Sequence, residues 1–208
     1  MRSEMSPTIS RRRVLTGALS CLTVVAVAAC SSEPVPRDSY YRLGAPTVSQ
    51  KRSGGPIKGV VEVPPLRGAG LVNERAILYR DTPQQLAQYS YHAWVEPPSG
   101  MVQQSLIDAL RQAQAFDTVV SPEMRLDRDF EMFADLQQWE HVRGENVAAI
   151  EIEIALRRVQ GNRQLLLKTY RANEPAAGVG IDAVVGAFTR GMDSIYKELI
   201  ADLGALPK

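Results

Sequence analysis

The side chain with the most definite chemistry in this chain is the thiol of Cys30, which ends the run Val27-Ala28-Ala29-Cys30. An apolar stretch, residues 14–29, precedes this cysteine. Four basic residues lie before the apolar stretch, Arg2, Arg11, Arg12 and Arg13. A basic start, an apolar centre and small residues at the end are the three parts of a secretory signal peptide. Because the stretch is shorter than the roughly 20 apolar residues that span a bilayer, we predict cleavage between Ala29 and Cys30.

The run at the predicted cut resembles a bacterial lipobox. In that motif the cysteine sulfur receives a diacylglycerol before cleavage, and the freed amine of the cysteine is then acylated. An ordinary signal peptide, or an N-terminal membrane anchor that contains a cysteine, is the alternative. Residues 10–15 also resemble a twin-arginine export signal, and a general secretory signal with a basic start is an equal alternative. We predict an N-acyl and S-diacylglycerol lipid on Cys30 and no other cofactor.

Such a lipid would fix the protein to its membrane, since two or more acyl chains give stable anchoring. In similar lipoproteins, an Asp directly after the cysteine favours retention in the inner membrane, and here that position is Ser31. We therefore expect the periplasmic face of the outer membrane, with the inner membrane as the alternative. Residues 1–29 are predicted to be removed, residues 30–39 to form a lipidated tether, and residues 40–208 to form one domain.

The composition of the predicted mature chain excludes several classes of protein. Removal of residues 1–29 takes away four Arg and one Glu, so 24 basic and 23 acidic residues become 20 and 22, a net charge of about −2. This balance lacks the overall basic charge of a nucleic-acid-binding domain. Cys21 leaves with the signal and Cys30 carries lipid, so we expect no thiol for a disulfide, a metal or a nucleophile.

A search for catalytic groups is mostly negative. The two histidines, His92 and His141, have no metal-ligand spacing around them. The run Gly68-Ala69-Gly70 lacks the third glycine of a dinucleotide-binding loop, and Ser90 near His92 has no nucleophile elbow. We expect His92 to be an ordinary strand residue and His141, which follows Glu140 beside a polar loop, to be solvated. A tethered hydrolase that uses Ser90 or His92 is the weakest alternative.

Aromatic and basic side chains provide the candidate contact residues. Protein interfaces favour aromatic residues and Arg at their centres. Two neighbouring predicted strands carry such residues close together, and the candidate partner-binding residues are Tyr79, Arg80, Tyr91 and Trp94. The alternative is that these rings, with Tyr89, fill the core beneath the helices. A second group is predicted to be a solvated face offset by Glu151 and Glu153, rather than a docking surface for anionic lipid: Arg157, Arg158, Arg163, Lys168 and Arg171.

The periodicity of apolar residues predicts more strands than helices. The segment 129–139 is ambiguous by pattern, because Phe130, Met132 and Ala134 alternate as in a strand whereas Phe133, Leu136 and Trp139 fit a helix; it is assigned as a strand mainly on the family resemblance given below. The other strands are predicted near residues 40–43, 59–63, 76–80, 86–95 and 118–120. In the fourth of these, Tyr89, Tyr91, Ala93 and Val95 are predicted to share one face. The clearest hairpin lies between residues 146 and 171. If Gly161-Asn162 forms its turn, Leu156 pairs with Leu167 and Ile154 with Thr169 on the inner face, and Ala155 meets Lys168 on the outer face.

Two helices are predicted from apolar stripes at helical spacing. The first follows Ser99, its expected N-cap, and its stripe is Val102, Leu106, Leu110 and Ala113. The second covers about residues 181–203, and its stripe is Val184, Phe188, Met192, Ile195, Leu199 and Leu203. The fold class predicted from this order of elements is an α/β or α+β sandwich, with helices packed on a mixed sheet.

The order of these segments resembles the ABC-type transport auxiliary lipoprotein family. The resemblance rests on the lipobox cysteine, on short runs that begin at Tyr40, Gly59, Ile77, Tyr91 and Phe130, on the 147–171 hairpin, on Glu174-Pro175 and on the closing helix. It covers nearly the whole predicted mature chain. The run Val95-Glu96-Pro97-Pro98 departs from the family, which more often has a small residue after the Trp.

This resemblance implies a three-layer α/β domain similar to anticodon-binding folds, without enzymatic activity. It also implies a role beside an ABC transporter that carries a periplasmic protein of the mammalian-cell-entry type and moves phospholipid or other hydrophobic molecules between the two membranes. A homo-oligomeric ring is a further expectation, since family members can form rings. The alternative function is a stand-alone periplasmic lipoprotein that binds a lipid or another ligand in its own cavity.

Overall fold

A computed structural model describes residues 36–68 and 70–206, and its regular elements follow one another as nine strands and two α-helices with two short 3-10 turns. The strands are β1 (Ser39–Tyr41), β2 (Ile57–Glu62), β3 (Arg67–Gly68), β4 (Ala76–Thr82), β5 (Gln85–Trp94), β6 (Phe116–Val120), β7 (Phe130–Val142), β8 (Val147–Arg158) and β9 (Arg163–Pro175). The helices are α1 (Pro98–Gln112) and α2 (Ile181–Ala205).

Strand β7 organises the sheet. Along one edge it pairs in parallel with three shorter strands in turn, β2 near Phe130, β3 near Asp135 and β4 near His141. Along the other edge it pairs antiparallel with β8, which in turn pairs with β9. Strand β6 extends the sheet beyond β2, and β5 and β1 extend it beyond β4. One end of β7 therefore meets β2 and the other meets β4, about 12 residues or roughly 40 Å apart.

Both helices pack against this mixed sheet through one shared core. The predicted stripes of α1 and α2 are buried, with side chains at most 2 % exposed. The rings of Trp94, Trp139 and Phe188 pack together with centroids 4.4–5.9 Å apart: Trp139 stacks on Phe188, and Trp94 meets Phe188 edge-on. Helix α2 lies close on β8 because Gly191 has no side chain, since a Cβ there would lie 2.8 Å from Ile150 Cδ1. The predicted class, helices on a mixed sheet, is confirmed.

Most predicted elements occur where periodicity indicated them. The ambiguous segment 129–139 is the strand β7, as predicted, and residues 118–120 lie in β6. Helix α1 begins at Pro98, so Ser99 lies in its first turn and Pro97 is the N-cap residue. The Ser99 N-cap prediction is therefore wrong by two positions, because the fixed φ of Pro98 already suits the first helical residue. No helix in the described residues is long and apolar enough to cross a bilayer.

The predicted register of the β8–β9 hairpin is wrong by one residue. The structure pairs Leu156 with Leu166, Ile154 with Lys168 and Ala155 with Leu167. The turn spans four residues between Arg158 and Arg163, and β9 carries an irregularity at Leu165, which has no partner residue on β8. Lys168 therefore lies on the helix side of the sheet, where the Lys168 ammonium contacts two carboxylates of α2, Asp202 at 2.7 Å and Glu198 at 2.8 Å. These two carboxylates stabilise a register that apolar pairing alone disfavours.

The predicted alternation along β5 is also wrong. Tyr91 has a φ of 61°, in the left-handed region, and the pairing of β5 with β4 shifts between Leu78 and Ala76. A left-handed residue inside a strand produces a bulge that changes which side chains face the core. As a result Trp94 is fully buried, whereas Tyr91 is 45 % exposed.

Candidate partner-binding and ligand-binding surfaces

Two of the predicted contact residues belong to a cluster at the Val142 end of β7, which we call the tyrosine end. It consists of Tyr79, Arg80, Tyr89, His141 and Arg143. The rings of Tyr79 and Tyr89 lie 4.6 Å apart on β4 and β5, and the Arg143 guanidinium lies 4.5 Å from the centre of the Tyr79 ring. The pairing of β4 with β7 brings Tyr79 opposite His141, so the sheet topology assembles the cluster.

Hydrogen bonds connect the tyrosine end across four segments. His141 Nε2 lies 3.1 Å from the Oδ1 of Asn146, which only accepts, so the His141 Nε2–H donates. The other nitrogen, Nδ1, then accepts from the Tyr89 hydroxyl at 2.7 Å. Asn146 Nδ2–H donates in turn to the carbonyl of Gly178, in the loop before α2. His141 is buried, so the prediction that it is solvated is wrong: both of its ring nitrogens have protein partners.

Each cation of the tyrosine end likewise has a carboxylate partner within the protein. Arg80 Nε lies 2.7 Å from Glu140 Oε1, and the Glu140 side chain is only 9 % exposed. Arg143 pairs with Asp81 at 3.0 Å. Burial lowers the pKa of His141 below its usual value, and burial raises the pKa of Tyr89. Both groups are therefore neutral near pH 7, and the cluster holds strands together rather than presenting free charge.

Of the four predicted partner-binding residues, only Tyr91 is well exposed. Tyr79 and Arg80 are half-buried in the tyrosine end, and Trp94 lies in the core, out of reach of any partner. Tyr91 lines an open cavity of about 370 Å³ together with Tyr40, itself 57 % exposed. Ala29 and Cys30 lie outside the described residues. Within the described ranges, no group of three side chains could hold a metal ion.

A different candidate site lies at the opposite, Phe130 end of β7, and we call it the basic groove. It is a cavity of about 590 Å³. Among the described residues, four cationic side chains line it, Arg52, Lys58, Arg158 and Arg163, and none of these lining residues is acidic. Its apolar lining comes from Pro56, Ile57, Phe130, Leu165 and Leu206.

The groove was not predictable from the sequence, because its walls come from four distant segments. The sequence pattern predicts that Arg158 and Arg163 lie on a face offset by Glu151 and Glu153. In the structure Glu151 pairs with Arg171 at 2.7 Å, and Glu153 lies five residues from Arg158 along β8. The only local signal was the two arginines on either side of the hairpin turn, which become direct neighbours once the turn is known to have four residues.

The chain matches a family model and is similar to solved structures. The family model for the ABC-type transport auxiliary lipoprotein component matches residues 41–200. The chain is similar in structure to protein XCC0632 from Xanthomonas campestris, of the family DUF330, with a TM-score of 0.69, 20 % identity and coverage of 78 % of this chain and 93 % of that one. A crystal structure of an uncharacterized protein gives a TM-score of 0.64 at 13 % identity, covering 79 % and 97 % of the two chains. No curated protein matches the sequence.

The two solved structures share less than 25 % identity with this chain, so they establish its fold and nothing further. The family model covers most of the chain. It includes all of the strands from β2 to β9, the whole of α1, and α2 as far as residue 200. This chain belongs to the ABC-type transport auxiliary lipoprotein family.

Proposed function

We propose that this protein is a membrane-anchored periplasmic lipoprotein that serves an ABC-type transport system without catalysing a reaction. The observation that carries the proposal is the family match over residues 41–200. The proposed system contains a periplasmic protein of the mammalian-cell-entry type and moves lipids or other hydrophobic compounds between the inner and outer membranes. The lipoprotein would act at the outer membrane as the docking component.

The proposed anchor is the lipid on Cys30. A Cys30→Ala variant, compared with the unchanged chain by membrane fractionation and labelling with a radioactive fatty acid, tests this proposal. We expect loss of the label, together with release of the protein from membranes or accumulation of the uncleaved precursor. Unchanged membrane retention with unchanged labelling would rule out the anchor. Separation of inner and outer membranes by density in the same experiment tests the proposed outer-membrane location.

The proposed contact with the partner is the exposed surface around Tyr40 and Tyr91. A left-handed tyrosine carries backbone strain, and strained residues cluster at binding sites. The guanidinium of Arg75 lies 5.4 Å from the centre of the Tyr40 ring, which gives this surface the combination of aromatic rings and Arg that interface centres favour. In contrast, His92 forms a hydrogen bond with Tyr41, and His141 forms hydrogen bonds with Tyr89 and Asn146. These bonds support a structural role for both histidines.

Affinity purification of the full chain from its own membranes tests the partner. We expect recovery of an ABC transporter and its mammalian-cell-entry-type protein, and at least a several-fold lower recovery with Tyr91→Ala. Met124→Ala is the matched control, because Met124 is also an exposed large side chain but lies in the loop between β6 and β7. Equal recovery with both variants would contradict the proposed contact surface, and recovery of no transporter would contradict the function.

A homo-oligomeric ring is also proposed, because family members can form rings. The aromatic residues of β4 and β5 motivated this expectation, and of these Tyr91 is the well-exposed one. Light scattering of the lipid-bearing full chain at high concentration in detergent should give the mass of a single multimer. A monomer under those conditions would refute the ring but not the role in transport.

A further inference from the structure

We propose that the basic groove binds an anionic amphiphile, a molecule with one phosphate or carboxylate group and one alkyl chain. The proposal concerns a ligand site on this chain and does not depend on the identity of the transporter or of its partner protein. Three features of the described residues carry it: unpaired positive charge, fixed positions for that charge and an apolar lining beside it.

The first feature is a pair of like charges placed opposite each other. Arg158 and Arg163 are direct cross-strand partners at the end of the β8–β9 hairpin, and like charges in this position destabilise a sheet. Within the described residues, neither guanidinium has a carboxylate partner, although the neighbouring Arg157 pairs with Glu131 and Arg171 with Glu151. An anion between the two guanidinium groups would remove the repulsion and accept paired hydrogen bonds from Arg.

The second feature is that protein contacts hold two of the cations, Arg158 and Arg52, in place. The Arg158 guanidinium lies 5.2 Å from the centre of the Phe130 ring, which is a cation–π distance. Arg52 donates from Nε to the carbonyl of Leu203 at 2.9 Å. This hydrogen bond attaches Arg52 to the end of α2. Neither the bond of Arg52 nor the contact of Arg158 with the Phe130 ring neutralises a positive charge. The positive charge of Lys58, in contrast, is paired with the carboxylate of Asp117 at 3.3 Å.

The third feature is the apolar lining. Ile57, Phe130, Leu165 and Leu206 contribute apolar surface next to the arginines. Leu165 reaches the groove because it is the residue of β9 without a partner on β8, and such irregularities redirect side chains near binding sites. A free inorganic anion would use the guanidinium groups but leave this surface in water. An alkyl chain would cover it, which favours an amphiphile over an inorganic ion.

The size of the groove limits the alkyl part. Its volume of about 590 Å³ lies within the roughly 300–1,000 Å³ of small-molecule sites. At about 30 Å³ for each group of the size of a water molecule, it holds on the order of 20 such groups. That number fits one head group and one alkyl chain of moderate length, and we therefore commit to a single chain.

Equilibrium dialysis of the full chain in a neutral detergent tests the proposal, with dodecyl phosphate as the probe. Inorganic phosphate tests the head group alone, and dodecanol tests the alkyl chain alone. The variant is Arg158→Ala/Arg163→Ala. The matched control is Arg67→Ala/Arg171→Ala, which removes the same number of exposed arginines from outside the groove. Circular dichroism of each variant checks that it is folded. If the alanine variant of the groove does not fold, Arg158→Lys/Arg163→Lys, which keeps the charge, takes its place.

We expect saturable binding of one dodecyl phosphate per chain, at least ten-fold weaker binding by the groove variant and a change of less than two-fold in the control. With the lysine variant, we expect an intermediate loss, because Lys cannot donate the paired hydrogen bonds of Arg. Inorganic phosphate and dodecanol should each bind at least ten-fold more weakly than dodecyl phosphate. Four results would each overturn the proposal: no saturable binding, equal losses in the groove variant and the control, inorganic phosphate as tight as dodecyl phosphate, or dodecanol as tight.

Discussion

The two ends of β7 carry similar residue types but differ in how their charges are paired. At the tyrosine end, Arg80 lies 2.7 Å from Glu140 and Arg143 lies 3.0 Å from Asp81. At the basic groove, Arg158 and Arg163 face each other without a carboxylate partner in the described part of the chain. Aromatic rings contact an arginine at both ends, Tyr79 at one and Phe130 at the other.

This difference shows that aromatic and arginine composition does not by itself identify a binding surface. At the tyrosine end the polar atoms contact one another, and removing one of them leaves a partner group buried without its interaction. At the groove, the same residue types oppose folding locally, and such conflicts are expected where a site serves a ligand. The two ends should therefore respond to substitution with opposite signs of stability change.

The largest expected effect is at the ion pair of the tyrosine end. Arg80→Ala leaves the carboxylate of Glu140 buried with Gln138 as its remaining donor in the described part of the chain. We expect a loss of about 2–3 kcal/mol in the free energy of unfolding, below the range for a fully buried pair because Arg80 is partly exposed. Urea denaturation of the purified full chain measures it. Arg143→Ala removes an exposed pair and should cost at most about 1 kcal/mol, and equal losses in the two variants would show that Glu140 does not need Arg80.

The next effect is at the hydrogen bond between Tyr89 and His141. Tyr89→Phe removes the donor to the buried Nδ1 of His141, and we expect a loss of about 1–2 kcal/mol in the same measurement. Tyr41→Phe is the matched control, because the Tyr41 hydroxyl also contacts a histidine Nδ1, that of His92, but at a half-exposed site. If the control loses as much stability as Tyr89→Phe, burial of the tyrosine end has no energetic importance.

A pH dependence should also arise at the tyrosine end. Burial holds the pKa of His141 below the value of about 6.5 that it has in the unfolded chain. Between the two pKa values the unfolded state therefore binds more protons than the folded state. The stability contributed by neutral His141 is fully present above about pH 6.5 and is lost as the pH falls below that value. We expect a steeper fall between pH 6.5 and 5 in the unchanged chain than in His141→Gln. Parallel curves for the two proteins would contradict the internal role of His141.

The smallest expected effect has the opposite sign. Arg163→Thr removes the repulsion with Arg158 and introduces a residue that favours strands, so the free energy of unfolding should rise by about 0.2–1 kcal/mol. Arg171→Thr, on the same strand, removes the pair with Glu151 and should lower it by up to about 1 kcal/mol. Should both substitutions destabilise the protein, the groove arginines would have partners that stabilise the fold, and the contrast between the two ends would fail.

Local periodicity was sufficient to predict most elements and the fold class. The stripes of α1 and α2 repeat at helical spacing, whereas periodicity left β7 ambiguous and the family resemblance assigned it correctly as a strand. The register of the β8–β9 hairpin was not predictable in the same way, because it depends on Asp202 and Glu198, which lie 34 and 30 residues beyond Lys168. The left-handed backbone of Tyr91 had no signal in its neighbours, and it reversed the expected faces of Tyr91 and Trp94.

The candidate sites were predictable only in part, for a related reason. Sequence reasoning can find rings and arginines, as it did for Tyr79 and Arg80, but it cannot find which carboxylate each arginine reaches. That outcome depends on strand order, since Tyr79 and Arg80 meet β7 only through the parallel pairing of β4. The groove likewise requires residues 52–58, Phe130, the hairpin turn and Leu206 to lie together.

Native mass spectrometry of the full chain extracted from its own membranes tests the claim that unpaired arginines mark the ligand site and paired ones the scaffold. We expect one non-covalently bound anionic amphiphile on the unchanged chain and on Arg67→Ala/Arg171→Ala, and its loss from Arg158→Ala/Arg163→Ala. The same amount of bound amphiphile on the folded groove variant, or none on the unchanged chain, would contradict the claim.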